Sequence, residues 1–425
     1  MSSSINATGS SERIPSLDFL RGIAILGILF INTENFAYPD SWSPGRYGFE
    51  TPVDHATRFW VYFLTQGKFY SMFALLFGVG FYIFLERLRK KGLGLKAMDI
   101  YARRMLWLFV MGIVHAYLIW NGDILYHYAI CGLLLIPFRS LTTRQLVFVL
   151  VLLCTLLLAR SFEQAKRRQG WQQANEAALT IPEDQRTEED LKHIAFWNEI
   201  TSPQKPDTAS IQTPKSTYWV TIKENYEHTS AHKGLLYYQG LLFSTLMLMI
   251  MGIILFRSGI FTDYRVWKHY WIICLGILGV GLVINYVRYF HWTYNDHEPI
   301  LNIWEAWLFT FPRELLGAGY ILFFNGIYQK YLGSIRFKVI SNVGRTALSN
   351  YIFQNILLGF IFYGYGMAYF NQFSRFALLG VVAIIWAVQL VLSWLWLRKF
   401  QQGPLEWLWR KLTYGSFEKQ VKNEK

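Results

Sequence analysis

A chain of 425 residues that is 53% hydrophobic and 18% aromatic, yet only 16% charged, is too apolar for a soluble domain. Long apolar segments recur along it, so one polytopic membrane domain is expected in place of the roughly two or three soluble domains its length would allow. The net charge of +13 does not mark a nucleic-acid binder, because the basic residues gather in short connections between apolar runs, the positive-inside pattern.

The Ser-rich start, Met1 to Glu12, lacks the n-region of a signal peptide. The first apolar run also lacks a small-residue cleavage site, so it is expected to be retained. Ten spans are predicted, at 17–36, 62–85, 103–120, 124–138, 145–160, 235–256, 270–290, 301–327, 346–365 and 375–397. The fold class is therefore all-α, a polytopic helix bundle of about ten transmembrane helices.

In the first span Asp18 and Arg21 are three residues apart and share a helix face. Asn32, eleven residues after Arg21, returns to nearly the same azimuth about 16 Å further along the axis. A helix that only anchored a protein would not need that polar face. Gln66-Gly67-Lys68 breaks the second span early, and a short interfacial helix around 55–65 is expected before it. The fourth and fifth spans are short for a hydrocarbon core of about 30 Å, which implies little tilt or partial burial by neighbours. Gly78-Val79-Gly80 lies in an apolar run and reads as a close helix contact, not a nucleotide fingerprint.

Orientation follows from Lys and Arg. Loop 86–104 holds Arg87, Arg89, Lys90, Lys91, Lys96, Arg103 and Arg104 and is expected inside. Arg139 and Arg144, then Arg257, Arg265 and Lys268, then Lys330, Arg336, Lys338 and Arg345 fall on the same side. Both termini are thus expected in the cytoplasm.

Four regions are expected. Residues 1–160 form a five-span half, and 235–400 form the second. Between them, 161–234 is polar, with helices over 161–179 and 186–200 and prolines at Pro203, Pro206 and Pro214. It reads as an extracytoplasmic cap, with a partly disordered loop as the alternative. Residues 401–425 read as an interfacial helix and a basic tail, with Pro404 in the first turn and Trp407, Leu408, Trp409 and Leu412 at headgroup depth.

The three cysteines, Cys131, Cys154 and Cys274, lie in apolar runs, and an odd number argues against a disulfide framework. No metal-ligand spacing is visible. Candidate chemistry therefore rests on polar groups at membrane depth. His115 lies about 9 Å from the outer end of the third span, and faces either a cavity or a packed interhelical contact. Asp123 and His127 are four apart and can share a face; an Asp beside a His raises its basicity and fixes its orientation. A packed imidazole is the bland alternative for His127, and His55 reads as exposed. Glu34 is the best-placed carboxylate, unless it is only solvated at a helix end. Arg21, Arg103, Arg104 and Arg345 lie at the inner surface, where they can hold phosphate or simply set topology and meet anionic lipid. Lys68 either snorkels or lines a cavity. Pro312-Arg313-Glu314 puts a kink beside two charges, which implies a lined cavity or an ion pair of Arg313 with Glu305 or Glu314. Asn350, Gln354 and Asn355 form a polar row that reads as lining or as glue.

Five stretches carry a family resemblance. They are Arg13-x-x-x-Leu17-Asp18-x-x-Arg21-Gly22-x-Ala24 followed by Asn32, Gly67-Lys68-Phe69-Tyr70-Ser71 with Leu76-Phe77-Gly78-Val79-Gly80, and His115 with Gly122-Asp123-Ile124-Leu125 and Tyr128. Gly344-Arg345-x-x-Leu348-x-Asn350-Tyr351-x-x-Gln354 and Gly403-Pro404-Leu405-Glu406-Trp407 complete the set. The chain resembles the YeiB-type family of bacterial membrane proteins, over nearly everything but 160–234. That family looks like a branch of the transmembrane acyltransferase superfamily, which includes heparan-α-glucosaminide N-acetyltransferase.

The resemblance implies a multi-pass protein of the bacterial plasma membrane. It implies an acyl group, with acetyl expected, taken from cytoplasmic acyl-CoA to an extracytoplasmic or membrane-embedded hydroxyl or amine on a small molecule, glycan or lipid. The related O-acyltransferases carry a histidine where this chain has Asn32. The N-acetyltransferase has asparagine there and its histidine eleven residues on, where this chain has Ser43. The base must then come from another helix. The roles expected are His115 as base, supported by Asp123, with Glu34 in reserve, and Asn32 as hydrogen-bonding partner of the reacting groups. Arg21 beside Asp18, with Arg345, Lys68 and Arg313, is expected to serve the donor. No metal or nucleic acid is expected, and a homodimer is compatible with this reading. A transporter using the same polar cavity is the alternative, and a scaffold recruiting a partner through 161–234 is the third reading.

Overall fold

Sixteen helices, numbered in chain order, account for the architecture of the computed structural model, which describes residues 14–39, 51–201, 217–231, 235–289, 299–331 and 335–415. Arg13, Ser43, Pro203, Pro206 and Pro214 lie outside those residues. The helices are α1 (Pro15–Ala37), α2 (Pro52–Thr65), α3 (Lys68–Lys90), α4 (Lys96–Leu118), α5 (Leu125–Leu134), α6 (Thr143–Thr180), α7 (Glu188–Thr201) and α8 (Tyr218–Ala231). They continue as α9 (Leu235–Arg257), α10 (Tyr270–Tyr289), α11 (Ile303–Leu308), α12 (Pro312–Lys330), α13 (Ile335–Arg345), α14 (Ala347–Phe362), α15 (Arg375–Lys399) and α16 (Pro404–Tyr414).

The chain is an all-helical membrane protein. Among the described residues, six stretches are long and apolar enough to cross a bilayer: Pro15–Ala37, Pro52–Lys90, Thr143–Thr180, Gly240–Arg257, Tyr270–Tyr289 and Arg375–Lys399. The apolar helices α5 and α14 are shorter. Phe148 on α6, Ile272 on α10 and Ile384 on α15 are largely exposed. A large apolar side chain turned outward is a liability in water and is the solvated face in lipid.

α1 is the hub, packing on α2, α3, α12, α13, α14 and α15. Its approach to α13 depends on missing side chains. A Cβ on Gly22 would meet the Ile340 carbonyl oxygen, and one on Gly344 would meet the carbonyl of Asp18. Small residues let helix backbones meet where lipid offers no hydrophobic drive to pack. Gly78 does the same for α3 against the backbone of Met249 on α9, as expected from its apolar setting.

Two of the predicted spans are bounded differently. The fifth does not stop at 160: α6 runs for 38 residues, about 57 Å, so its second half stands clear of a hydrocarbon core of about 30 Å. That half packs on α7, with Trp171 edge-on to Phe196 at 4.8 Å between ring centroids. No helix breaker falls near Arg160, so polarity changes there while the helix continues. The eighth span is two helices, because Pro312 has no N–H to extend a helix and starts α12 instead. The early break of the second span is present, and Gly67 supplies it with φ of 74°. α2 before it starts on a Thr51–Asp54 capping box.

The helix directions define two ends. One gathers the starts of α1 and α4 with the ends of α3 and α13, and is rich in arginine and lysine. The opposite end gathers the ends of α1, α4, α10 and α14 with the starts of α3, α5, α12 and α15. α8 packs on α4 at that end, where the Tyr218 hydroxyl donates to the Leu118 carbonyl at 3.0 Å.

Candidate functional site

Three helices and one turn bring a chain of polar side chains together in the bundle interior. His115 near the end of α4 is fully buried, and its Nδ1 lies 2.9 Å from Oδ1 of Asp123 in the α4–α5 turn. The contact is close, though off the line of a well-aligned hydrogen bond. The other Asp123 oxygen accepts from the Tyr126 N–H at 3.0 Å and so helps start α5. On the far side of the imidazole, Nε2 lies 3.0 Å from Nδ2 of Asn355 on α14. An amide nitrogen can only donate, so Nε2 accepts and the ring proton sits on Nδ1, facing Asp123. Asn355 Oδ1 in turn accepts from Asn32 Nδ2 on α1 at 3.2 Å. The sequence Asn32, Asn355, His115, Asp123 is one continuous relay, with Asn355 and His115 fully buried.

From the basic end, a cavity of about 410 Å³ runs into the bundle. Arg21, Arg87, Lys91, Arg104, Arg345 and Arg410 contribute to its lining, against Asp18 and Glu406. Arg21 pairs with Asp18 at 3.0 Å, so the first-helix pair predicted from spacing forms. Glu406 on α16 is occupied too: it accepts from the backbone N–H groups of Leu348 and Ser349 at 2.6 and 3.2 Å and from the Ser349 hydroxyl at 2.5 Å. It thereby caps the start of α14. Burial pushes its carboxyl above the usual value, against the pull of those bonds. The balance at the mouth is strongly positive. Deeper in, Phe77, Met105, Leu108 and Leu125 make the wall apolar, and the cavity extends to Tyr128, Ile124 and Tyr351. Tyr351 separates it from the relay, its ring 5.2 Å from the His115 ring.

α16 forms part of this cavity. Trp409 donates its indole N–H to the Arg104 carbonyl at 2.7 Å, and the Arg104 guanidinium lies 3.6 Å from the Trp409 ring centroid. Arg103, by contrast, faces out and pairs with Asp99 at 2.6 Å.

The remaining expected residues lie elsewhere. Glu34 is not solvated: it is buried in an ion pair with Arg375 of α15 at 2.8 Å. His127 does not share Asp123; its Nε2 lies 2.9 Å from Thr245 Oγ1. His55 is exposed, as expected. Lys68 neither snorkels nor lines the cavity. It is buried and donates to the Tyr62 carbonyl at 3.0 Å, satisfying the end of α2. Arg313 packs over Gly67, and Glu314 accepts from Ser244 at 2.9 Å. Lys68 and Arg313 therefore sit at the opposite end from Arg21 and Arg345. In the polar row, Asn350 binds Ser393 at 2.9 Å and Gln354 binds Gln389 at 3.3 Å, both holding α14 to α15. Only Asn355 of that row joins the relay.

Arg375 and Tyr351 were not singled out from sequence as site residues. Arg375 had one usable signal, a charge at the start of an apolar run. Tyr351 had none beyond its place in a motif, since tyrosine is ordinary in an aromatic-rich bundle.

A family model described as a protein of unknown function (DUF418) matches residues 255–416. Two relatives match across almost their full length. Uncharacterized protein YxaH of Bacillus subtilis (strain 168) is 30% identical over 455 aligned positions, covering 100% of both chains. Uncharacterized protein YeiB of Escherichia coli (strain K12) is 30% identical over 423 positions, covering 95% of this chain and 96% of its own.

Proposed function

This chain belongs to the YeiB-type family, with YeiB and YxaH as relatives, and we propose that it is an integral-membrane acyltransferase. In this reading it lies in the bacterial plasma membrane with its basic end toward the cytoplasm. It takes an acyl group, acetyl being the simplest, from acyl-CoA and gives it to a hydroxyl or amine on an acceptor arriving from the opposite end.

The observation that carries the reading is the cavity. It has a cluster of arginines at its mouth, an apolar barrel, and a buried His–Asp pair behind its inner wall. Acyl-CoA has the matching order of parts: phosphates, then a long slim arm, then the reactive thioester. Arginine forks suit the phosphates. The arm fills the apolar part, and the acyl carbon comes to the Tyr351 end.

The chemistry follows from the relay. With its ring proton on Nδ1 beside Asp123, His115 presents Nε2 as a base. Turnover requires Asn355 to turn its amide away so that the acceptor's O–H or N–H takes its place. The acceptor then adds to the thioester carbon, its proton passes to Nε2, and the departing CoA thiolate takes that proton as the C–S bond breaks. Asn32 steadies Asn355 in the resting arrangement.

The test is calorimetric titration of the detergent-purified protein with acetyl-CoA and longer acyl-CoAs, together with an assay for released CoA thiol. Binding and thiol release are expected; neither with any acyl-CoA sinks the reading. One observation favours a second reading. His115, Asn355 and Asn32 satisfy one another and lie behind Tyr351, an arrangement that suits a transporter of an anionic amphiphile with no covalent step. A His115→Ala variant that still moves ligand across vesicles, without any acylated product in the wild type, supports that alternative.

A further inference from the structure

We infer that the Tyr351 hydroxyl is the donor that binds the acyl carbonyl oxygen of the substrate held in the cavity, an inference that rests on the acyltransferase reading. Four tyrosines line the cavity: Tyr101, Tyr128 and Tyr351 in its interior, and Tyr414 beside the arginines of the mouth. Two have spent their hydroxyls on backbone. Tyr101 donates to the Gly132 carbonyl at 3.2 Å, and Tyr128 donates to the Tyr70 carbonyl at 3.0 Å. The Tyr351 hydroxyl makes no hydrogen bond of good geometry, although Asn355 and the Ile124 backbone are near it.

Tyr351 is only 3% exposed. A buried hydroxyl with no partner is unfavourable, because water has been removed and nothing replaces it. Such a group explains itself when a ligand supplies the acceptor. Here the hydroxyl belongs to a residue that lines the cavity beside His115, the proposed base. A thioester carbonyl delivered to this end meets Tyr351 at the cavity wall, with His115 behind the same ring.

The step balances as follows. The acceptor's oxygen or nitrogen bonds to the thioester carbon while its proton goes to His115 Nε2. The carbonyl π electrons move onto oxygen, which the Tyr351 O–H stabilises by hydrogen bonding without transferring its proton. Collapse restores the carbonyl and expels the CoA thiolate, which takes the proton from His115. Tyr351 is specific to the acyl group, since free CoA offers no carbonyl.

Tyr351→Phe removes the oxygen and keeps the ring against His115, so the fold should hold, as an unchanged melting temperature would verify. Losing one such donor costs about a hundredfold in kcat. The variant should show that loss in thiol release from acetyl-CoA, keep its affinity for free CoA, and lose any preference for acetyl-CoA over CoA. Turnover within about twofold of the wild type would overturn the inference alone. A wild type that binds no acyl-CoA would overturn the acyltransferase reading and, with it, this inference.

Discussion

His115 is held by both ring nitrogens, with Asp123 at Nδ1 and Asn355 at Nε2. That arrangement fixes which nitrogen can act as a base. If it acts as proposed, His115→Ala should lower turnover by about a hundred- to ten-thousandfold while leaving CoA affinity near the wild-type value. Undiminished thiol release would remove His115 from the chemistry. Glu34 and Arg375 call for a different experiment, because they form a buried ion pair at the opposite end. Glu34→Ala strands the Arg375 charge and should destabilise the protein by about 3–5 kcal/mol. Adding Arg375→Ala should recover part of that loss, as followed by thermal unfolding in detergent. His115 and Asp123 were legible because an ionisable side chain in an apolar run must have a partner. Which partner was not legible: Asp123 chose His115 over His127, four residues away, because the α4–α5 turn folds it back. Asn355 and Arg375 meet their partners across more than 200 residues of chain, a distance no local pattern encodes.

Helix crossings decide where those side chains stand. α1 and α13 approach through Gly22 and Gly344, and the crossing puts Asp18 and Arg21 beside Arg345 at the cavity mouth. Gly344→Val would force a branched side chain into the Asp18 carbonyl. It should cost about 1–3 kcal/mol or more and weaken acyl-CoA binding together with stability. A variant that melts and binds like the wild type would show the crossing to be looser than described. Apolar runs located the helices well, because a hydrocarbon environment demands continuous helical hydrogen bonding. Hydropathy was a poorer guide to where helices stop. α6 outlasts its apolar half, and α12 begins at a proline inside a run read as one span. Gly78 of the glycine motif was read correctly as packing, whereas Gly80 lines the cavity next to the Arg21 guanidinium.

At the scale of the whole molecule the two ends are chemically unlike. One is an arginine-rich mouth opening on the cavity; the other holds the buried Glu34–Arg375 ion pair between α1 and α15, with Lys68 and Glu314 buried on α3 and α12. The proposed donor enters at the first. Arg21→Ala and Arg345→Ala should each weaken acyl-CoA binding by roughly ten- to a hundredfold, since a hydrogen bond to a charged group contributes about 1.5–3 kcal/mol. They should raise KM with little change in kcat, because the phosphates are bound alike in ground and transition states. Lys68 and Arg313, expected from sequence to share this duty, sit at the other end, and their replacement should leave donor affinity unchanged. The most direct measurement is an experimental density map of the purified protein with a non-hydrolysable acetyl-CoA analogue. The account predicts elongated density with its phosphates among Arg21, Arg104 and Arg345 and its acyl group at Tyr351 beside His115. An empty cavity at saturating analogue, or density only at the Lys68 and Arg313 end, would contradict it.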